Sequence, residues 1–323
     1  MTTTDERPAL RLAGVLPDIE SAAIEPLIVE IEELKRQRNA VVLAHNYMTP
    51  DIYHGVSDLT GDSLALARLA AETDADVIVM AGVHFMAETA KIVSPTKTVL
   101  IPSLDAGCSL ADSITAEDVR GLRRQYPGVP VVTYVNTSAE VKAEADVTCT
   151  SGNALAVVES LDSDRVLCIP DQYLGKWVAT QTDKEIILWD GACEVHERFT
   201  ATELAGYRST HPGIQIIAHP ECPPDVLDEA DFVGSTSGMI DWVRLNGPAL
   251  VFMVTECSMS DNVAITSPDT DFVRPCNICP HMKQITLMNI RDALRDLRHQ
   301  VNLDPIVADR ARSAVERMLA VKT

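Results

Sequence analysis

The 323-residue chain has no apolar stretch long enough to span a bilayer. The longest, Val77 to Ala87, is broken by Gly82 and His84, whereas a membrane helix needs about 20 predominantly apolar residues. Positive charge is also scarce: 27 basic residues face 47 acidic ones, for a net charge of −20. Such a surface repels phosphate backbones and anionic lipid, which argues against nucleic acid and membrane as partners. A small anion remains possible, because local donors inside a pocket can outweigh the net charge. The first residues, MTTTDERPAL, have neither a basic nor an apolar segment, so no secretory signal is expected and the protein reads as cytoplasmic. Walker loops, nucleophile elbows and dinucleotide fingerprints are missing. Low-complexity tracts are missing too, and with 46% hydrophobic and 23% charged residues the composition is that of a globular protein of two or three compact units.

Cysteine is present, eight times. In a reducing compartment these residues point to metal binding, catalysis or packing rather than disulfides. Cys276 and Cys279 form one CxxC pair, but a second pair that would complete a zinc site is missing, as is the radical-SAM spacing CxxxCxxC. Cys168, in RVLCIP, reads as a core strand residue. Cys149, Cys222 and Cys257 neighbour polar motifs without being needed as ligands.

An internal repeat organises the chain. Three β-branched runs end in small polar groups: VVLAHNY (41–47), VVTYVNT (131–137) and IQIIAHPE (214–221). Each reads as a buried parallel strand. After a polar linker comes a helix start, at Gly61, Thr150 and Ser235, with Ser63, Ser151 and Thr236 as markers. A second apolar strand follows (VIVMAG, RVLCIP, ALVFMV), then Cys108, Cys193 and Cys279, which stand 85 and 86 residues apart. These features predict an α/β protein of three similar αβα units with parallel sheets about a pseudo-threefold axis, strand carboxyl ends directed at a common centre. The expected organisation is a leading segment and amphipathic helix (1–40, with the helix at 21–39), units at 41–130, 131–213 and 214–282, and a helical, repeat-free closing segment at 283–323.

Three thiolates meeting at that centre suit an iron–sulfur cluster or a three-cysteine zinc site. A four-iron cube with three protein ligands leaves one iron open as a Lewis acid. Ser63, Ser151 and Thr236, each an ordinary helix cap if taken alone, together suggest an anion pocket. His45 with Tyr47, Tyr134 with Asn136, and His219 with Glu221 add acid–base groups at the strand ends.

The motifs AHNY, GDSLALA, MAGVHFMAETAKI, AGCSLAD, YVNTSAEVKA, CTSGNA, PDQYLG, WDGACEVHE, AHPEC, GSTSGM and CNICPHM together resemble those of the quinolinate synthase family, from about residue 30 to about residue 320. The resemblance implies a transferase-type condensation in NAD biosynthesis: iminoaspartate and dihydroxyacetone phosphate give quinolinate with loss of phosphate and water. It implies a [4Fe–4S] cluster on Cys108, Cys193 and Cys279. Substrate contacts then fall on His45, Ser63, Tyr134, Asn136, Ser151, His219, Glu221 and Thr236, and proton relay on Glu221, His219, Tyr47 and Tyr134. Aspartate oxidase is the expected upstream supplier. In one departure, Val273 stands where some members have the first cysteine of CxxCxxC, which leaves Cys276 a spare thiol. The competing readings are a different cluster-dependent hydro-lyase, similar to aconitase, and a non-enzymatic metal sensor; anion sites in all three units would be superfluous in a sensor.

Overall fold

The computed structural model of the chain describes residues 12–274 and 277–321. One order of elements, helix then strand four times over, occurs three times. The first unit contains α1 (Asp18–Arg38), β1 (Ala40–His45), α2 (Pro50–Tyr53), β2 (Leu59–Gly61), α3 (Ser63–Glu72), β3 (Val77–Ala81), α4 (His84–Val93) and β4 (Thr98–Leu100). The second runs α5 (Ala116–Gln125), β5 (Val131–Tyr134), α6 (Ala139–Glu144), β6 (Val147–Cys149), α7 (Ala154–Glu159), β7 (Arg165–Ile169), α8 (Gln172–Ala179) and β8 (Glu185–Leu188). The third has α9 (Ala201–Thr210), β9 (Gln215–Ala218), α10 (Pro224–Asp228), β10 (Phe232–Val233), α11 (Thr236–Asn246), β11 (Leu250–Val254), α12 (Ser258–Thr266) and β12 (Asp271–Val273). Each unit makes a four-stranded parallel sheet in the order second, first, third, fourth. The continuous apolar runs are thus central strands covered on both faces, and β3 is buried throughout. The three similar α/β units read from the repeat are present.

The linkers expected to be plain polar connections each contain a short edge strand. Their sequences share a pattern, Asp58-Leu-Thr-Gly, Asp146-Val-Thr-Cys and Asp231-Phe-Val-Gly, too brief to register as an apolar run. The aspartate has a structural task in all three copies. Its carboxylate accepts the N–H of Val42, Val131 or Ile216 at 2.7–2.8 Å. A cation from the helix ahead of the sheet then pairs with it: Lys35 at 2.7 Å, Arg123 at 2.8 Å and Arg208 at 3.2 Å. The start of each central strand is therefore clamped, and this fixes the height of its far end.

Two expectations need correction. The stretch after β6 does not start a helix at Ser151: α7 begins at Ala154, and Ser151 lies in the turn before it. Asn153 folds its side chain back onto the Thr150 N–H at 2.7 Å and so holds that turn open. Nor is the tail repeat-free. Short 3-10 turns at Ala111–Ser113, His196–Arg198 and Met282–Gln284 follow the three cysteines. Thr115, Thr200 and Thr286 then cap α5, α9 and α13 (Leu287–Asp296). The capping threonine and the buried apolar residue four positions on (Val119, Leu204 and Ile290) recur in all three, while the exposed faces of the helices have diverged. α13 packs on α1 and β3, returning the chain to the first sheet. α14 (Pro305–Ala320) then lies across the first and second units, with Arg310 on Glu144 at 2.9 Å and Arg312 on the Ile92 carbonyl at 2.9 Å. Among the described residues no helix is long and apolar enough to cross a membrane.

Replacing Asp231 by Ala should leave the Ile216 N–H without its acceptor and Arg208 without its partner. The expected cost is about 1–3 kcal/mol, read as a lower denaturant midpoint, with Asp231→Asn retaining part of the loss.

Candidate active site

The carboxyl ends of β1, β5 and β9 and the three cysteine turns open on one cavity. The parallel order puts all strand ends of a sheet on one edge, and the clamped strand starts set the three edges level. All twelve residues singled out in the sequence line this cavity: His45, Tyr47 and Ser63 from the first unit with Cys108; Tyr134, Asn136 and Ser151 from the second with Cys193; and His219, Glu221 and Thr236 from the third with Cys279. Cys276 lies outside the described residues. Cys149, Cys168 and Cys222 are buried, as a packing role requires.

The cysteine turns are equivalent in detail. Each thiol faces the backbone N–H groups two and three residues on: Leu110 and Ala111 for Cys108, Val195 and His196 for Cys193, His281 and Met282 for Cys279. Burial pushes all three thiols up, Cys108 to about 12, against the pull of these donors. At the mouth, His281 approaches Glu194 at 3.1 Å and ties the second cysteine turn to the third.

Burial also decides the protonation of the imidazoles. It lowers His45 to about 4 and His219 to about 3, so both are neutral at pH 7. His45 Nδ1 accepts the Tyr47 N–H at 3.2 Å, which leaves the proton on Nε2. His219 Nε2 meets the Ser151 hydroxyl at 3.1 Å. For Glu221, burial opposes ionisation, but His196 and His219 beside it, with hydrogen bonds from His196 and Tyr134, bring the carboxyl down to about 2. Desolvation and the nearby Glu221 charge hold the Tyr47 and Tyr134 phenols well above their ordinary value. The site therefore sets the ionised Glu221 carboxylate among the protonated phenols of Tyr47 and Tyr134 and the neutral imidazoles of His45 and His219.

Sequence reasoning passed over four residues of this network. His196 stands three positions after Cys193, within WDGACEVHE, where the other copies have Ala111 and Met282. Its Nδ1 lies 2.7 Å from Glu221, and its ring stacks on His219 at 4.6 Å. Thr255, at the end of β11, contacts both Tyr47 and His196. Glu256, fully buried, pairs with Lys283 at 2.9 Å, and Lys283 also reaches the Tyr47 carbonyl at 2.9 Å. Neither spacing nor residue type could have revealed the last three, because they follow the strands and turns rather than a motif. Cys193, His196 and Glu221 also bring one ligand atom each within 4.8 Å of one another.

A family model described as quinolinate synthetase A protein matches residues 29–320. Quinolinate synthase 1 of Mesorhizobium japonicum is 65% identical, over 96% of this chain and 96% of that protein. The quinolinate synthase of Agrobacterium fabrum is 62% identical, over 96% of this chain and 90% of its own length. That of Xylella fastidiosa is likewise 62% identical, over 91% and 87%.

The buried carboxylate gives a stability test. Lys283→Met strands Glu256 without its cation and should cost about 3–5 kcal/mol in chemical denaturation. Adding Glu256→Gln removes the stranded charge, so the double variant should be the more stable of the two.

Proposed function

Because this chain belongs to the quinolinate synthase family, we propose that it condenses iminoaspartate with dihydroxyacetone phosphate to quinolinate, releasing phosphate and water, in NAD biosynthesis. The observation that carries this reading is the meeting of Cys108, Cys193 and Cys279 in one cavity with the Glu221 carboxylate, neutral His45 and His219, and the phenols of Tyr47 and Tyr134.

The cofactor we assign is a [4Fe–4S] cluster held by those three cysteines. The donor set fits it: three soft sulfur ligands come from three equivalent turns, and each turn offers the sulfur two backbone N–H groups that offset thiolate charge. Thiols held protonated by burial must lose their protons on loading, so assembly releases protons. When bound, such a cluster supplies one iron without a protein ligand, a Lewis acid for a substrate oxygen. The close approach of Cys193, His196 and Glu221 supports a second reading, a mononuclear metal site. That arrangement leaves Cys108 and Cys279 without a role, and the cluster is preferred.

Both substrates are anions. Ser63 and Thr236, the first residues of α3 and α11, place two helix N-termini on the cavity. They suit the carboxylates of iminoaspartate or the phosphate of its partner. Ser151 contributes a hydroxyl from a turn instead, held by the imidazole of His219. Asn136, 3.4 Å from Glu221, orients both that carboxylate and a substrate oxygen. Glu221, ionised at pH 7, takes protons from carbon or nitrogen during isomerisation and ring closure. Tyr134 and Tyr47, holding their protons, return them to departing oxygens, and His45 with its Nε2 proton donates a hydrogen bond to substrate. The described cysteines are all free thiols, which supports placement in a reducing cytoplasm. An oxidase acting on aspartate is the expected source of the short-lived imine.

Anaerobically reconstituted protein should form quinolinate from freshly generated iminoaspartate and dihydroxyacetone phosphate and carry roughly four irons per chain. Cys193→Ala should lose both the visible absorption of the cluster and the product. A brown, iron-replete wild type forming no quinolinate would refute the substrates. A colourless protein that resists reconstitution, or one loaded with zinc alone, would refute the cofactor.

A further inference from the structure

Asn136 carries the second unit to the Glu221 carboxylate of the third, and its own side chain does little to hold it there. Its Nδ2 donates to Glu221 over 3.4 Å, a long contact, and its buried Oδ1 has no partner among the described residues. The backbone around it is held far more closely. Asn136 stands at the corner of a three-residue turn after β5, closed by the Thr137 N–H on the Val135 carbonyl at 2.8 Å. The Thr137 hydroxyl donates back to the Tyr134 carbonyl at 2.9 Å.

Two buried charged residues that the proposed chemistry does not use grip the far side of this turn. Lys142, in α6 of the second unit, is fully buried, and its ammonium donates to the Thr137 carbonyl. Glu88, in α4 of the first unit, is buried too, and its Oε2 accepts the Ala139 N–H at 3.0 Å. That N–H opens α6, where a helix has no acceptor of its own to offer. The same lysine lies over the Phe85 ring, 5.6 Å from its centre, and Phe85 and Met86 of α4 line the cavity. Burial opposes both charges, raising the Glu88 carboxyl and lowering the Lys142 ammonium to about 8, while each charge supports the other. Buried opposite charges are a poor source of stability, and a packed apolar pair would close the seam between the units as well. What the charged pair adds is direction, because it holds one carbonyl and one N–H of the segment that follows Asn136.

We propose that Lys142 and Glu88 are positioning residues for Asn136: from two different units they fix the backbone behind it, and so hold its amide against Glu221 with Oδ1 left for an N–H or O–H of the substrate. The inference rests on the reaction proposed above for its kinetic consequence and on geometry alone for its structural one.

The test uses Lys142→Met, and Glu88→Ala beside Glu88→Gln, all as anaerobically reconstituted holoenzyme. Lys142→Met and Glu88→Ala should lower kcat by roughly 10- to 100-fold, the scale that about 1 Å of misplacement carries. Iron content and visible absorption should stay as in wild type. Glu88→Gln keeps an acceptor for the Ala139 N–H and should recover most of the rate. In an Asn136→Ala background, Lys142→Met and Glu88→Ala should each cost less than about twofold more, because residues acting through one group are not additive. Crystal structures of the variants supply a readout independent of turnover: the Asn136 amide should leave Glu221 in Lys142→Met and Glu88→Ala, and stay beside it in Glu88→Gln. Wild-type rates in both damaging variants overturn the inference. A full further loss in the Asn136→Ala background overturns it as well, as does an Asn136 amide that keeps its place in Lys142→Met and Glu88→Ala. If Lys142→Met does not fold, Glu88→Ala against Glu88→Gln decides by the same criteria. A wild type that forms no quinolinate refutes the reaction, and the place of Asn136 in the variant crystals then still decides the inference.

Discussion

Each functional side chain in this protein takes its place from the carboxyl end of a parallel strand or from the turn that follows a sheet. A parallel sheet with helical crossovers brings every strand end to the same edge. Three sheets of identical order therefore offer three such edges, and the cavity is where they meet. The clamps at the opposite ends of the strands matter as much. Asp58, Asp146 and Asp231 each hold one N–H group in the first half of a central strand, three residues before His45, Tyr134 and His219 respectively, and bind the preceding helix through a cation. A strand fixed at its start cannot slip in register, so His45, Tyr134 and His219 reach the centre at matched heights.

The same convergence sets the chemistry. Residues at the meeting point of three units lose water on all sides, and desolvation penalises charge. His45 and His219 become neutral, and the thiols and phenols keep their protons. Glu221 stays charged because its neighbours outweigh burial. A site assembled within one unit would have had a more open, wetter side. The third sheet contributes more than its share of the polar wiring, since Thr255 and Glu256 extend from β11 to Tyr47, His196, Cys279 and Lys283. That asymmetry breaks an otherwise threefold arrangement and gives one face of the cavity its acid–base groups.

Much of this was legible beforehand. The β-branched runs announced the central strands, because strands buried on both faces need no alternation. The spacing of Cys108, Cys193 and Cys279 announced the triplication, and all twelve expected residues lie on the cavity. The edge strands were not legible, because two or three residues carry too little pattern. Ser151 misled because the local signal of a capped helix was present while Asn153 bent the backbone into a turn first. The third copy of the trailing helix was hidden by its divergent face, although Thr286 stands where Thr115 and Thr200 do.

By itself the sequence determined the repeat, the central strands, the cysteine set and the small polar groups that end each strand, since all of these follow from local spacing and residue type. Only the tertiary structure decided which groups touch. His196 meeting Glu221, Thr255 bridging to Tyr47 and Lys283 neutralising Glu256 join positions 25 to 208 residues apart along the chain. So does the protonation of each imidazole, phenol and thiol, because the desolvation that sets it comes from all three units packed together.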